Sequence, residues 1–265
     1  FMQSLDATIL NTALPAISAS LNESPLEMQM TIISYSLTVA LFIPLTGWMA
    51  DKYGTLNVFR AAVGVFVLGS VACAMANSLN ALIGSRILQG VGGALMMPVA
   101  RLTIIRNVPK TQLVAAWNAM AMAGLIGPVL GPIVGGWLVT HATWHWIFLI
   151  NIPIGVLGIV FAGRYMPNST GKIKKLDWIG FILFAGGLAG VTLGLDLLSE
   201  ERANSGLTAV ILSAGFISFL LYYYYAKRAQ NPLLPLNVFW VRTFRIGMIA
   251  NIFIRLTASG IPFLM

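Results

Sequence analysis

Long apolar segments recur along the whole chain, near 1–20, 29–50, 58–77, 80–105, 113–139, 145–166, 178–198, 206–227 and 244–265. Each is about 18 to 25 residues long, the length a helix needs to cross a hydrocarbon core of roughly 30 Å. No water is available in that core to satisfy a stray N–H or C=O, so such segments must be helical. The pattern predicts an all-α polytopic membrane protein with eight crossings and part of a ninth. Only 9% of the residues are charged and the mean hydropathy is +0.84, outside the range of soluble globular domains. The chain opens at Phe1 inside one apolar run and stops at Met265 inside another, and reads as a fragment. Its first segment lacks a basic leader and carries Asp6, unlike a cleavable signal peptide.

The net charge of +8 would point to nucleic acid in a soluble domain, but here topology explains it, and no nucleic-acid partner is expected. Lys52 and Arg60 follow the second segment; Arg101, Arg106 and Lys110 the fourth; Arg164, Lys172, Lys174 and Lys175 the sixth; Lys227, Arg228, Arg242 and Arg245 the eighth. Of the odd-numbered connections, only the one after the seventh segment holds a basic residue, Arg202, beside Glu200 and Glu201, while Glu23 and Glu27 follow the first. The positive-inside rule makes the even-numbered loops cytoplasmic, and the N-terminus with them. Two polar connections then divide the chain. Residues 1–166 form a six-helix bundle, 167–177 a cytoplasmic linker, 178–230 two additional helices, 231–243 a second linker, and 244–265 the first helix of a second bundle. Tyr222 to Tyr225, at the end of the eighth segment, read as an interfacial anchor.

An ionisable residue inside a span is costly and faces a cavity or a partner. Asp6 lies about fourteen residues before the outer end of its segment, roughly 21 Å at 1.5 Å per residue, toward the inner half of the membrane. Without a fixed partner, burial there favours its protonated form and makes it a candidate proton carrier. Gln3, Asn11 and Thr12 make the same span unusually polar. Arg86 stands about fifteen residues, or 22 Å, from Arg101, too far to snorkel to that surface. It is placed to hold a nearby carboxylate or an anionic group, and Gln89 shares its face.

The run GLIGPVLGPIVGGWL, residues 124–138, sets Gly124, Gly127, Gly131 and Gly135 along one side of a helix and inserts Pro128 and Pro132. Such a run is ruinous in a soluble helix but serviceable in a bilayer, where a smooth face admits a close neighbour and that neighbour satisfies the carbonyls proline frees. The expected partner of that face is a neighbouring helix, of the same bundle or of the other one. GWMADKYG, residues 47–54, forms a tight turn in which Asp51 caps the next helix or pairs with a basic residue. His141 and His145 have metal-compatible spacing but no third ligand nearby, so neither metal nor cofactor is expected. Cys73 reads as core packing, and no nucleophile–base grouping points to an enzyme.

Five motifs carry a resemblance to the major facilitator superfamily, and within it to the drug:proton antiporter branch with fourteen transmembrane helices. LDATILNTALPAI resembles that branch's first-helix motif and SRILQGVGGA its fourth-helix motif, at Arg86, Gln89 and Gly90. GWMADKYGTLNVF resembles the loop motif between helices two and three, retaining Gly47, Asp51, Lys52 and Gly54, although Thr55 and Leu56 stand where two basic residues are usual. The glycine–proline run resembles the antiporter motif at Gly127, Pro128, Gly131, Pro132, Gly135 and Gly136, and WHWIFLINIPIG the start of helix six. The resemblance implies two six-helix bundles around a central cavity that opens alternately to either side. By position it implies proton coupling at Asp6 and Arg86, a cytoplasmic gate at Gly47, Asp51, Lys52 and Gly54, and a bending helix at Gly127 to Gly136. Gln3, Asn11, Gln89, Met97 and Met120 are the expected cavity lining. The expected activity is proton-coupled export of small, largely apolar or amphipathic compounds by a monomer in the cytoplasmic (inner) membrane of a bacterium. A proton-coupled importer on the same fold is the alternative.

Overall fold

The computed structural model describes residues 1–172, 175–199 and 205–260, almost wholly as helix. Lys174, Glu200, Glu201 and Arg202, used above for topology, lie outside the described residues, as do 261–265 and the side chain of Arg255. The chain divides into two compact units, Phe1–Lys174 and Lys175–Met265. The boundary falls inside the expected linker because its two ends are held differently. Ser169 and Gly171 bond to the first unit, at Thr55 and Asp51, while Asp177 caps the first helix of the second.

The first unit contains α1 (Met2–Leu21), α2 (Gln29–Phe42), α3 (Thr46–Tyr53), α4 (Thr55–Ala74), α5 (Leu79–Asn107), α6 (Leu113–His141), α7 (Trp146–Leu149) and α8 (Asn151–Tyr165). α2 and α3 are one span broken by a 3-10 turn at Ile43–Leu45, where Pro44 cannot donate to the preceding turn. α1 ends at Asn22 in the left-handed conformation (φ 55°), which asparagine tolerates. The hydroxyl of Ser78 caps α5 by accepting from the Ala81 N–H. Among the described residues seven helical rods are long and apolar enough to cross a membrane. α1 is not one of them by hydropathy, since Gln3, Asp6, Asn11 and Thr12 dilute its apolar character.

Two apolar clusters fill the first unit. One gathers Ile9, Leu10, Ala13 and Ile17 of α1 with Cys73, Leu82, Leu138, Ile147 and Phe148; the other gathers Met2, Tyr35, Val58, Val63, Phe66, Leu95 and Val99. On α1, α4 and α5 alike, the residues between these clusters in sequence are the polar ones: Asp6, Ser70, and Arg86 with Gln89. The fold therefore sandwiches a polar layer between two apolar ones.

The glycine run of α6 packs against α1 of the same unit. The residues that α6 buries are Gly127, Gly131, Gly135 and Leu138. A Cβ on Gly131 would strike the Thr8 side chain, and one on Gly135 would come within 2.9 Å of Ile9. Pro128 finds its compensation on the same helix pair. Pro128 has no N–H for the Gly124 carbonyl four residues earlier, and the Ser4 hydroxyl donates to that carbonyl at 3.1 Å. A Cβ on Gly124 or Gly136 would stand in open space, so Gly124 meets α1 through its carbonyl and not through a glycine-to-side-chain contact.

In the second unit, α9 (Trp178–Ser199) and α10 (Ser205–Arg228) pack as a hairpin, with Gly190 against Gly215. A 3-10 turn, Leu236–Trp240, precedes α11 (Arg242–Gly260). The tyrosines read as interfacial anchors also hold the second linker. The Tyr222 hydroxyl accepts from the Leu234 N–H at 2.8 Å, and Tyr225 donates at 2.6 Å to Asp177, which in turn accepts from the Leu233 N–H.

Gly131→Leu should separate α1 from α6 and destabilise the full-length protein by about 1–3 kcal/mol or more. Gly136→Leu, placed in open space, should leave it unchanged. Thermal unfolding of the two detergent-purified variants checks the contrast.

Candidate functional site

The polar layer is built from five elements. α1 supplies Asp6 and α5 supplies Arg86 and Gln89 on successive turns of one face, the pair separation that helical geometry brings together. α4 supplies Ser70, α2 the Thr31 carbonyl and Tyr35 ring, and the first residue of α8 is Asn151. Close helix approach makes this possible, since Gly69 of α4 sits against the backbone of Gln89 and Gly92 of α5 against that of Phe66.

Asp6 and Arg86 are each 1% exposed and form an ion pair at 2.7 Å. Asp6 Oδ1 accepts two further bonds, from Gln89 Nε2 at 2.9 Å and Asn151 Nδ2 at 3.1 Å. Arg86 Nε donates to the Thr31 carbonyl at 3.3 Å, Nη1 also donates to Gln89 Oε1, and the guanidinium stacks 4.2 Å over the Tyr35 ring. Gln89 Nε2 continues to Ser70 Oγ at 2.7 Å, and Asn151 Nδ2 reaches the same oxygen at 3.3 Å. Taking two charges out of water costs several kcal/mol per ion, which the attraction offsets only when the remaining valences are satisfied, as these nearly all are. The arrangement is chemically simple. A carboxylate shut away from solvent has one counter-ion, and neutralising it would leave a buried cation unpaired.

Beside this layer lies a cavity of about 250 Å³ lined by Met2, Gln3, Phe59, Met96, Met97, Met120 and apolar neighbours. Of the five side chains expected to line a cavity, Gln3, Met97 and Met120 do so. Gln89 is fully buried within the ion-pair network instead, and Asn11 is exposed on the far face of α1. A polar residue on a span faces outward or inward by its helical phase, which hydropathy does not register. Ser70, Tyr35 and Asn151 were not singled out from the sequence. The isolated Ser70 in VFVLGSVACA, and Asn151 within the helix-six motif, were the available signals.

At the Lys/Arg-rich end of the unit, Asp51 forms an ion pair with Arg106 in the last turn of α5. Arg106 also donates to the Ser169 carbonyl at 3.3 Å. Thr55 and Leu56, where the family resemblance expects basic residues, meet the segment after α8. Thr55 N donates to the Ser169 carbonyl and Leu56 N to Asn168 Oδ1, each at 3.1 Å, so a distant loop satisfies the free amides of α4. Gly54 permits this turn with φ 88°, a conformation that side chains resist, and Asn168 occupies the space of a Cβ. Lys52 is not in the ion pair; it lies over Trp48 and Tyr53 at 4.8 and 5.0 Å. A Cβ on Gly47 would meet nothing within 4 Å. The Arg60 guanidinium lies beside Gly163 of α8, and the ion-pair partner of Asp51 is Arg106. His141 and His145 stack on Trp137 and Trp144, and among the described residues no three His, Cys, Asp or Glu gather as a metal site would require.

The sequence profile described as Major Facilitator Superfamily matches residues 1–263, nearly the entire chain. The chain belongs to the major facilitator superfamily. It is thus a multi-pass membrane protein of a family of transporters, which are not enzymes. Over its full length it is 66% identical to "Probable transport protein HsrA" of Haemophilus influenzae, and spans 57% of that protein. It is 46% identical over 264 residues to "Putative multidrug resistance protein MdtD" of Salmonella typhi, spanning 56% of it. A bacterial homologue of the human lysosomal transporter Spinster, solved inward-facing and occupied, shares the fold with a TM-score of 0.52 at 18% identity, over 88% of this chain and 60% of that one.

Arg86→Met, which leaves Asp6 buried without its counter-ion, should cost about 3–5 kcal/mol of stability. Combining it with Asp6→Asn should restore more than half of the loss. The melting temperatures of the single and double variants measure the coupling.

Proposed function

We propose that the transporter to which this chain belongs exports small apolar or amphipathic compounds from a bacterial cytoplasm in exchange for protons. The observation that carries this reading is the Asp6 carboxylate, excluded from water and balanced by Arg86 alone. Charged, the pair ties α1 to α5 and the polar layer is closed. Protonation removes the counter-ion, and burial of an unpaired guanidinium then favours a rearrangement that lets Arg86 reach water or another partner. A proton thereby biases a two-state equilibrium between orientations, which is what coupling requires. A potential of 100 mV contributes roughly 2.3 kcal/mol for each charge moved across the membrane.

The cavity supports the substrate class. Its walls are methionine, aromatic and small apolar side chains with Gln3 as the polar exception, an adaptable surface for varied apolar groups. At about 250 Å³ it exceeds the roughly 150 Å³ that suffices for benzene. The name of the 46% identical relative supports efflux of several compounds. The distribution of basic residues supports a cytoplasmic N-terminus and an inner-membrane location. The turn around Asp51, Arg106 and Ser169 then lies on the cytoplasmic side, where its breakable ion pair and loop contacts serve as a gate.

In everted vesicles of cells producing the full-length transporter, Asp6→Asn should abolish proton-driven uptake of lipophilic dyes that the unmutated protein moves, at unchanged expression. Uptake undiminished by this change would remove Asp6 from the coupling mechanism. Uptake driven in the opposite sense by the proton gradient would make the protein an importer.

A further inference from the structure

We propose that Asn151 is the positioning residue that holds Asp6 in both of its protonation states, donating to the carboxylate and accepting from the carboxylic acid. The inference rests on the proton-coupled reading above and assigns to α8 a part in it. Asn151 is fully buried at the first residue of its helix. Its Nδ2 donates to Asp6 and Ser70, whereas its Oδ1 is buried with no hydrogen-bond partner. A buried amide oxygen without a donor is destabilising and uncommon, and here it stands on the side chain that touches the titrating group.

The chemistry of the neighbours shows what the oxygen is for. An ionised carboxylate only accepts, and Asp6 is supplied by three donors. A protonated Asp6 has an O–H to place, and its surroundings are nearly exhausted of acceptors. Arg86 has none to offer. Gln89 Oε1 is taken by Arg86 and by the Cys73 thiol, and Ser70 Oγ already accepts from Gln89 while donating to the Phe66 carbonyl. The Tyr35 hydroxyl is also buried without a partner but lies against Gly93, so among the side chains that already bond Asp6 it is Asn151 Oδ1 that stands free to accept. Rotation about the terminal, broadly two-fold torsion of Asn151 exchanges Nδ2 and Oδ1 in front of Asp6. The new O–H bond stays on Asp6 and no proton passes to the amide. The titratable and charged groups facing Asp6 are Arg86 from α5, Tyr35 from α2 and Cys73 from α4. Of the elements packed on α1, α7 has no titratable residue, α6 has His141 in its last turn, and α8 has Arg164 and Tyr165 in its own. Asn151 is therefore the polar contact that α8 makes with the switch, and turning its amide reports the charge of Asp6 to that helix.

The test compares Asn151→Val with Asn151→Thr, which match in shape, while only threonine can both donate and accept. The melting temperature of the purified full-length transporter is measured against pH, with Asp6→Asn defining which inflection belongs to Asp6. A bond to a carboxylate is stronger than one from a neutral acid, so losing both should move that inflection upward by about one pH unit in Asn151→Val. Asn151→Thr should leave it near the original position. If the valine variant does not fold, Asn151→Ala against Asn151→Ser makes the same comparison. An inflection abolished by Asp6→Asn yet unmoved by the apolar variant, or moved equally by both members of a pair, overturns the role of Asn151 alone. An inflection that survives Asp6→Asn overturns the proton-coupled reading beneath it as well.

Discussion

The fold of the first unit depends on one buried ion pair. Asp6 and Arg86 lie in a polar stratum between two apolar clusters, so α1, α4 and α5 can pack above and below it only in the register that lets these charges meet. A shift by one turn on either helix would move a charge about 5.4 Å along the axis and strand it among apolar side chains. The pair thus sets helix register, and its cost in desolvation is offset by Gln89, Asn151 and the Thr31 carbonyl, which occupy the remaining valences. The same satisfaction makes the layer sensitive to charge. Removing a negative charge leaves several buried donors with less to bind, which is a bias on conformation rather than a loss of fold.

Around this layer, helix contacts are made by backbone more than by bulky side chains. α6 presents glycines to α1, and the Ser4 hydroxyl of α1 answers the Gly124 carbonyl that Pro128 leaves open. This complementarity between two helices of one bundle explains how α6 carries Pro128 within a continuous helix of 29 residues. It also ties the glycine–proline helix directly to the helix that bears Asp6. At the other end, the loop after α8 caps α4 through Asn168 and Ser169, in place of the charges that relatives of this loop motif usually carry at Thr55 and Leu56.

Much of this was legible in the sequence because the signals were long or unpaired. Apolar runs as long as a bilayer is thick announce helices, and a charge inside such a run announces a partner, as Asp6 and Arg86 did. The partner of the glycine face was not legible. Spacing fixes which residues share a side of α6, but only tertiary packing brings α1 onto that side. Single neutral polar residues were equally ambiguous. Asn11 and Asn151 look alike in sequence, yet one is exposed and the other fully buried against Asp6, because helical phase relative to neighbours decides and hydropathy is blind to it. Ser70 was hidden for a further reason: a serine can satisfy itself on the carbonyl four residues back, as it does at Phe66, and so need not signal a network.

The central claim is that Asp6 carries the proton whose movement opens this layer. Proton release on adding an exported compound to the purified full-length transporter, in lightly buffered detergent solution, tests it most directly. The account predicts release from the unmutated protein and none from the Asp6→Asn variant when both bind the compound. Equal release from the two proteins would contradict it.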